Sequence, residues 1–259
     1  MKKLLLALTL SLFSLSTFAL TPEEQGLQIA QEVDKRDTGF GDSRARLEMV
    51  LKNRSGDESR RSLELKTLEI NGDGDKSLTI FDTPRDVKGT AFLSFTHALT
   101  PDDQWLYLPA LKRVKRISSS NKSGAFLGSE YSFEDLTSFE IARYSYRYLK
   151  DEMIDGIDCF VIELKPQYEY SGYTRLVSWI DKTRYIPIKG EFYDRKNALL
   201  KTQDFKEYKR YLDKYWRAAI QTMTNQQNGK STQLLWEDYE FGIGFTERDF
   251  DKNTLKRSR

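Results

Sequence analysis

The chain has 259 residues, 41 Lys and Arg against 39 Asp and Glu, one histidine and one cysteine. That usage excludes a multi-histidine metal centre and an intramolecular disulfide, and the near-neutral balance gives no support to nucleic-acid binding. The length allows one large all-β domain or two ordinary ones.

At the N-terminus, Met1-Lys2-Lys3 is a short positive start, Leu4 to Phe18 is apolar and hydroxyl-rich, and Thr17-Phe18-Ala19 is a small-x-small cleavage site. This pattern predicts a secretory signal peptide over 1–19, cut after Ala19. The apolar run is well short of the roughly 20 residues of a spanning helix, and no cysteine follows the cleavage site to carry a lipid anchor. With Lys2 and Lys3 removed, 39 basic residues face 39 acidic ones, so the mature chain is formally neutral.

Thr21-Pro22-Glu23-Glu24 reads as a helix start: Thr21 caps, Pro22 suits the first position and Glu24 completes a capping box. Gly26, Ile29, Ala30 and Val33 follow at i, i+3, i+4, i+7 spacing and predict an amphipathic helix that stops at 37–41. From there the period becomes alternating. Leu47, Met49 and Leu51 alternate with Arg46, Glu48 and Lys52; after a turn at Gly56-Asp57, Leu63, Leu65 and Thr67 alternate with Glu64 and Lys66. That predicts a hairpin with one wet face. Asn71-Gly72-Asp73-Gly74-Asp75 predicts the next turn, because Lys76 stands where a calcium loop needs glycine. Further strands are predicted at Ser77–Phe81, Thr90–Phe95, Gln104–Leu108 and Lys112–Ile117.

A glycine- and serine-rich loop covers 118–129, and Ser132, with Asp135 three residues on, caps a short helix predicted over Ser132–Phe139. Strands return at Glu140–Leu149, Cys159–Lys165, Arg175–Asp181, Ile188–Tyr193, Leu199–Tyr208 and Trp216–Asn225. Ser231–Phe241 completes the last pair before a polar tail. Consecutive strands with short turns mean an antiparallel meander, mainly β with a few helices (α+β). No linker or repeat divides residues 20–259, which read as a single domain.

Reacting groups are scarce. His97 ends the run Phe92-Leu93-Ser94-Phe95-Thr96, no serine stands in a Gly-x-Ser-x-Gly elbow, and no glycine-rich phosphate loop opens a helix. Glu134-Asp135 and Asp151-Glu152 read as solvated acids. The chain therefore reads as a non-enzyme, with no catalytic or metal residues and no cofactor. Cys159 reads as a small buried hydrophobe, and Tyr144, Tyr146 and Tyr148 as one face of a sheet surface.

The chain concentrates its apolar, aromatic and basic residues over Asp102 to Ile117. Trp105 and Tyr107 point to one face of a strand, Leu106 and Leu108 to the other. A strand apolar on both faces is either sandwiched between layers or lines a cavity for an apolar ligand with one of them. Lys112, Arg113, Lys115 and Arg116 continue it as a charged outer strand that discourages edge pairing, or as a contact for anionic headgroups or an acidic partner.

Several runs taken together carry a family likeness: Thr83-Pro84-Arg85-Asp86-Val87-Lys88-Gly89-Thr90-Ala91-Phe92-Leu93, then Asp103-Gln104-Trp105-Leu106-Tyr107-Leu108-Pro109-Ala110-Leu111, Arg113-Val114-Lys115-Arg116-Ile117, and Gly128-Ser129-Glu130-Tyr131-Ser132-Phe133-Glu134-Asp135-Leu136. In these the chain resembles the outer-membrane lipoprotein-sorting-like proteins of Gram-negative bacteria, relatives of the periplasmic lipoprotein carrier. The resemblance implies an unclosed antiparallel β-barrel, a half-barrel whose apolar concave face is covered by helices, with a cavity that takes up acyl chains. It further implies a periplasmic carrier of a lipid or lipoprotein, moving it towards the outer membrane or to and from an inner-membrane lipid transporter, with peripheral membrane contact. The alternative is a non-catalytic envelope module that assists a transporter complex through its surface. On the carrier reading, Phe81, Phe92, Leu93, Phe95, Trp105, Leu106, Tyr107 and Leu108 are expected at the cavity, although each strand turns only one face to it. Lys112, Arg113, Lys115 and Arg116 are the expected partner or headgroup contact.

Overall fold

A computed structural model describes residues 19–253 and 255–257 of the protein; the predicted signal segment up to Phe18 lies outside them. Helix α1 (Pro22–Asp37) starts as its sequence requires. The Glu24 amide donates to Thr21 Oγ1 at 3.2 Å, and the Thr21 amide donates to Glu24 Oε2 at 2.8 Å. Of its apolar stripe, Gly26, Ile29 and Ala30 are buried. Among the described residues no helix is long and apolar enough to cross a membrane.

The strands are β1 (Asp42–Lys52), β2 (Glu58–Leu68), β3 (Lys76–Thr83), β4 (Ala91–Phe95), β5 (Asp103–Leu108), β6 (Arg113–Ile117), β7 (Tyr144–Ile154), β8 (Ile157–Pro166), β9 (Tyr173–Asp181), β10 (Pro187–Asp194), β11 (Leu199–Tyr211), β12 (Tyr215–Asn225) and β13 (Ser231–Phe241). They form one antiparallel sheet in the order β6-β5-β4-β3-β2-β1-β13-β12-β11-β10-β9-β8-β7. All neighbours are sequential except β1 and β13, whose pairing joins the two halves of the chain. The positive-φ pair Asp155-Gly156, at 49° and 81°, makes the two-residue β7–β8 turn, the geometry whose twist matches the flanking strands. β6 and β7 follow one another in sequence yet sit at opposite free edges, so the sheet is not closed.

Two faces organise the packing. The inner face carries α1 over β7–β9, where Ile29 and Ala30 meet Tyr146, Ile162, Leu164 and Ile180. It also carries the segment that crosses from β6 to β7, residues 118–143, whose Phe126, Tyr131 and Phe133 pack on Leu47, Met49, Leu63, Phe81, Phe92 and Leu106. On the outer face the C-terminal segment presses Phe250 and Leu255 onto Leu78, Ile80, Ala91 and Leu93. A separate outer cluster buries Cys159 with Val161, Val177 and Trp179. Burial pushes the Cys159 thiol up to about 11, in keeping with a small buried hydrophobe rather than a nucleophile.

Two expectations for the crossing segment are corrected. In place of a helix over Ser132–Phe139 there is one 3-10 turn, Glu134–Leu136. Ser132 and Asp135 do exchange capping bonds, at 2.6 and 3.3 Å, but Thr137 is extended, and the Glu134 side chain is drawn to the β8–β9 loop and that of Asp135 to Tyr173 and Lys201. The strand expected from Glu140 begins only at Tyr144, after a 3-10 turn at Ile141–Arg143. Tyr146 lies buried beneath α1 rather than on an open sheet surface.

Gly26 sets how closely α1 approaches β7. A Cβ there would meet Tyr148 N at 2.7 Å and Arg147 C at 2.8 Å, both backbone atoms. Gly26→Val is expected to lower folding stability by about 1–3 kcal/mol through overpacking, read as a shift in the urea midpoint.

Candidate functional site

The candidate site is built by the crossing segment, which is irregular and, from Phe126 to Glu134, largely buried, so its polar groups there must be satisfied internally. Its backbone folds on itself, with the Phe126 amide donating to Tyr131 O at 2.7 Å and the Glu134 amide to Lys122 O at 2.8 Å. Its phenyl rings form a cluster: Phe126 lies 5.2 Å from Phe92, 5.5 Å from Phe133 and 5.9 Å from Phe81, centre to centre.

Buried charges tie this segment to both halves of the sheet. On one side Arg143 donates to Asp102 at 2.6 and 3.1 Å and to Thr100 O at 3.1 Å. Lys122 stands 3.9 Å from the same carboxylate and 3.6 Å from the Tyr168 ring centre. On the other side Asp135 accepts from Lys201 Nζ at 2.6 Å and from Tyr173 Oη at 2.8 Å. Those two charged side chains are only 4% and 6% exposed. Glu134 accepts from Tyr168 Oη at 2.6 Å, the Gly172 amide at 2.8 Å and the Ser171 hydroxyl. The pair expected to be solvated surface acids is thus the anchor of the segment.

The segment fills one end of the inner face and leaves the other open beneath α1. There lies a cavity of about 1810 Å3, larger than the roughly 300–1,000 Å3 of ordinary small-molecule sites. Its walls come from both halves of the sheet: Leu47, Met49, Leu63 and Leu65 on one side, Ile162, Leu164, Leu176, Ile180, Phe192, Leu234 and Trp236 on the other. A single cavity walled by β1–β2 and by β8–β13 requires the sheet to curl around it. Trp236 Nε1 is buried there with no hydrogen-bond partner among the described residues.

The rim is charged. Exposed residues at the end of α1, including Asp37 and Thr38, border it together with the β2–β3 turn, the β9–β10 turn around Arg184, and Tyr208 to Arg217 of the β11–β12 hairpin. Asp34, Glu69, Asp75 and Glu140 gather on one side. Burial, then the nearby Glu69 and Glu140 charges, push the Asp75 carboxyl up to about 7. Burial also raises Asp34, helped by Asp37 and Glu69, and raises Glu140.

None of the eight residues expected to line the cavity is on its wall. Phe81, Phe92, Leu106 and Leu108 do face inward, but they pack under the crossing segment. Leu93, Phe95, Trp105 and Tyr107 face outward, under the C-terminal segment. Two causes place them so: a segment with three large aromatic residues occupies the end of the trough beside β3–β5, and strand alternation turns the other four away from it. The wall residues Leu47, Met49, Leu63 and Leu65 had a legible signal in their alternation; Lys201 and Asp135 had none. Lys112, Arg113, Lys115 and Arg116 are all exposed, the last three on edge strand β6, with Arg116 paired to Asp103. His97 binds Asp73 at 2.7 Å through Nδ1.

Two measurements test this site. Lys201→Met strands a buried carboxylate and is expected to cost about 3–5 kcal/mol, while Asp135→Asn with Lys201→Met recovers part of that loss, both read by chemical denaturation. Asp75 in the folded chain keeps a proton that the unfolded chain, at its ordinary 3.8, has released. Its contribution to stability is therefore complete below 3.8 and lost as pH rises through about 7. Asp75→Asn is expected to flatten the denaturation midpoint across that window and to raise it above neutrality; an unchanged slope rejects the assignment.

A family profile described only as an uncharacterized protein matches residues 73–257. A search of curated proteins returns no match. Among solved structures, one designated an outer membrane lipoprotein-sorting protein domain, from Vibrio parahaemolyticus, is 60% identical, covers 91% of this chain and 100% of its own, and superposes with a TM-score of 0.89. A DUF1329 family protein from Desulfovibrio piger is 29% identical over 91% of this chain and 100% of its own, with a TM-score of 0.86. A LolA superfamily protein from Nitrosomonas europaea, at 20% identity, 91% and 99% coverage and a TM-score of 0.72, shares the fold. At 60% identity over nearly its whole length, the chain belongs to the outer-membrane lipoprotein-sorting-like protein family.

Proposed function

We propose that the protein is a periplasmic, non-catalytic carrier that holds the acyl chains of a lipid or lipoprotein in the cavity under α1 and moves them between envelope membranes. The observation that carries this reading is the cavity itself: about 1810 Å3, walled by aliphatic and aromatic side chains from both halves of a curled sheet. Each acyl methylene buried there gains roughly 0.8 kcal/mol with no directional bond required. Release needs only α1 to move while the sheet stays rigid. Family membership and the predicted signal peptide support export and a sorting role.

The test is purification of the full chain, organic extraction and mass spectrometry, followed by titration of the delipidated protein with a fluorescent fatty acid. Bound lipid is expected in the extract, and Leu65→Glu, which puts a charge on the cavity wall, is expected to weaken the probe more than tenfold. An empty extract together with no probe binding sinks the carrier reading.

The position of β6 favours a second reading, an interaction module. It is a free edge whose exposed Arg113, Lys115 and Arg116, with neighbouring Lys112, suit an acidic transporter or acceptor. Reversing these four charges would abolish partner capture and leave lipid binding intact; unaltered capture rejects it.

A further inference from the structure

Two guanidinium groups stand near one indole at the cavity rim. Arg184, in the β9–β10 turn, and Arg210, near the end of β11, lie with Cζ at 5.6 and 5.9 Å from the Trp216 ring centre. All three residues line the cavity. Arg184 donates Nε to Asp181 at 2.6 Å, and no acceptor binds its terminal nitrogens among the described residues. Arg210 is exposed and has neither a carboxylate nor a hydrogen-bond partner among them. The other cations beside them are committed: Arg217 to Asp37 and the Trp216 carbonyl, Lys214 to the Thr38 carbonyl at 2.6 Å.

Two cations carried on one stretch of rim, neither with its terminal nitrogens bound to a carboxylate among the described residues, make that stretch positive and favour an anion there. The planar edge of a guanidinium matches phosphate oxygens in pairs. We propose that Arg184 and Arg210 read the phosphate of a phospholipid headgroup at the rim, on the reading that the cavity below holds the acyl chains.

The experiment uses the delipidated full chain and three fluorescent probes with identical acyl chains: phosphatidylethanolamine, phosphatidylglycerol and diacylglycerol. The wild type is expected to bind both phospholipids about tenfold or more tighter than diacylglycerol. R210Q, at an exposed position that holds no other group, is expected to lose that preference and to keep its diacylglycerol affinity. R184Q is expected to do the same, with circular dichroism checking the fold because Arg184 also holds Asp181. Full retention of the preference in R210Q overturns the proposal, as does a wild type with no preference. Equal binding of all three probes removes the phosphate subsite alone, whereas binding of none removes the carrier reading with it.

Discussion

The fold depends on the buried charges that hold the crossing segment inside the sheet. The pairing of β1 with β13 makes the chain grow outward in both directions, so the end of β6 and the start of β7 lie at opposite edges. The connection must cross the trough, and an irregular backbone there loses water without gaining a ladder. Asp102 with Arg143 fastens it to one half of the sheet, and Asp135 with Lys201 to the other. A buried ion pair adds little net stability, but removing one member is expensive. Its contribution here is positional: it fixes which part of the trough is filled.

That placement explains why a cavity exists at all. The crossing segment carries Phe126, Tyr131 and Phe133 into one end, where they complete a dense core with β1–β5. At the other end α1 lies on β7, held close by Gly26, and its Ala30 and Val33 border the cavity. Leu47, Met49 and Leu63 are therefore shared, packing on the core with one part of their surface and bounding the cavity with another. One curled sheet thus has a filled half and an open half, and α1 lies over the open half on β7–β9.

Much of this was legible from local pattern. The capping box at Thr21 and Glu24, the apolar stripe of α1 and the alternation in β1 and β2 are each decided within a few residues. The meander followed from them, and the motifs around β4–β6 carried the family. What could not be read depends on distance. Lys201 meets Asp135 across 66 positions, and no local rule separates a carboxylate destined for burial from a solvated one. The helix expected after Ser132 shows the same limit: its cap forms, but the tertiary partners of Glu134 and Asp135 outweigh propensity.

The strand Asp103–Leu108 shows where sequence reasoning divides. Its two apolar faces permitted a sandwich or a cavity wall, and the structure gives a sandwich. Leu106 lies under the aromatic cluster of the crossing segment, while Trp105 and Tyr107 lie under Phe245, Phe250 and Leu255 of the C-terminal segment. Neither cover is a sheet or a long helix; both are irregular stretches that commit a few large side chains each. A strand covered on both sides by such stretches has no face left for a ligand. The cavity belongs instead to strands such as β1 and β2, which alternate apolar with charged residues and whose inner face the crossing segment covers only in part.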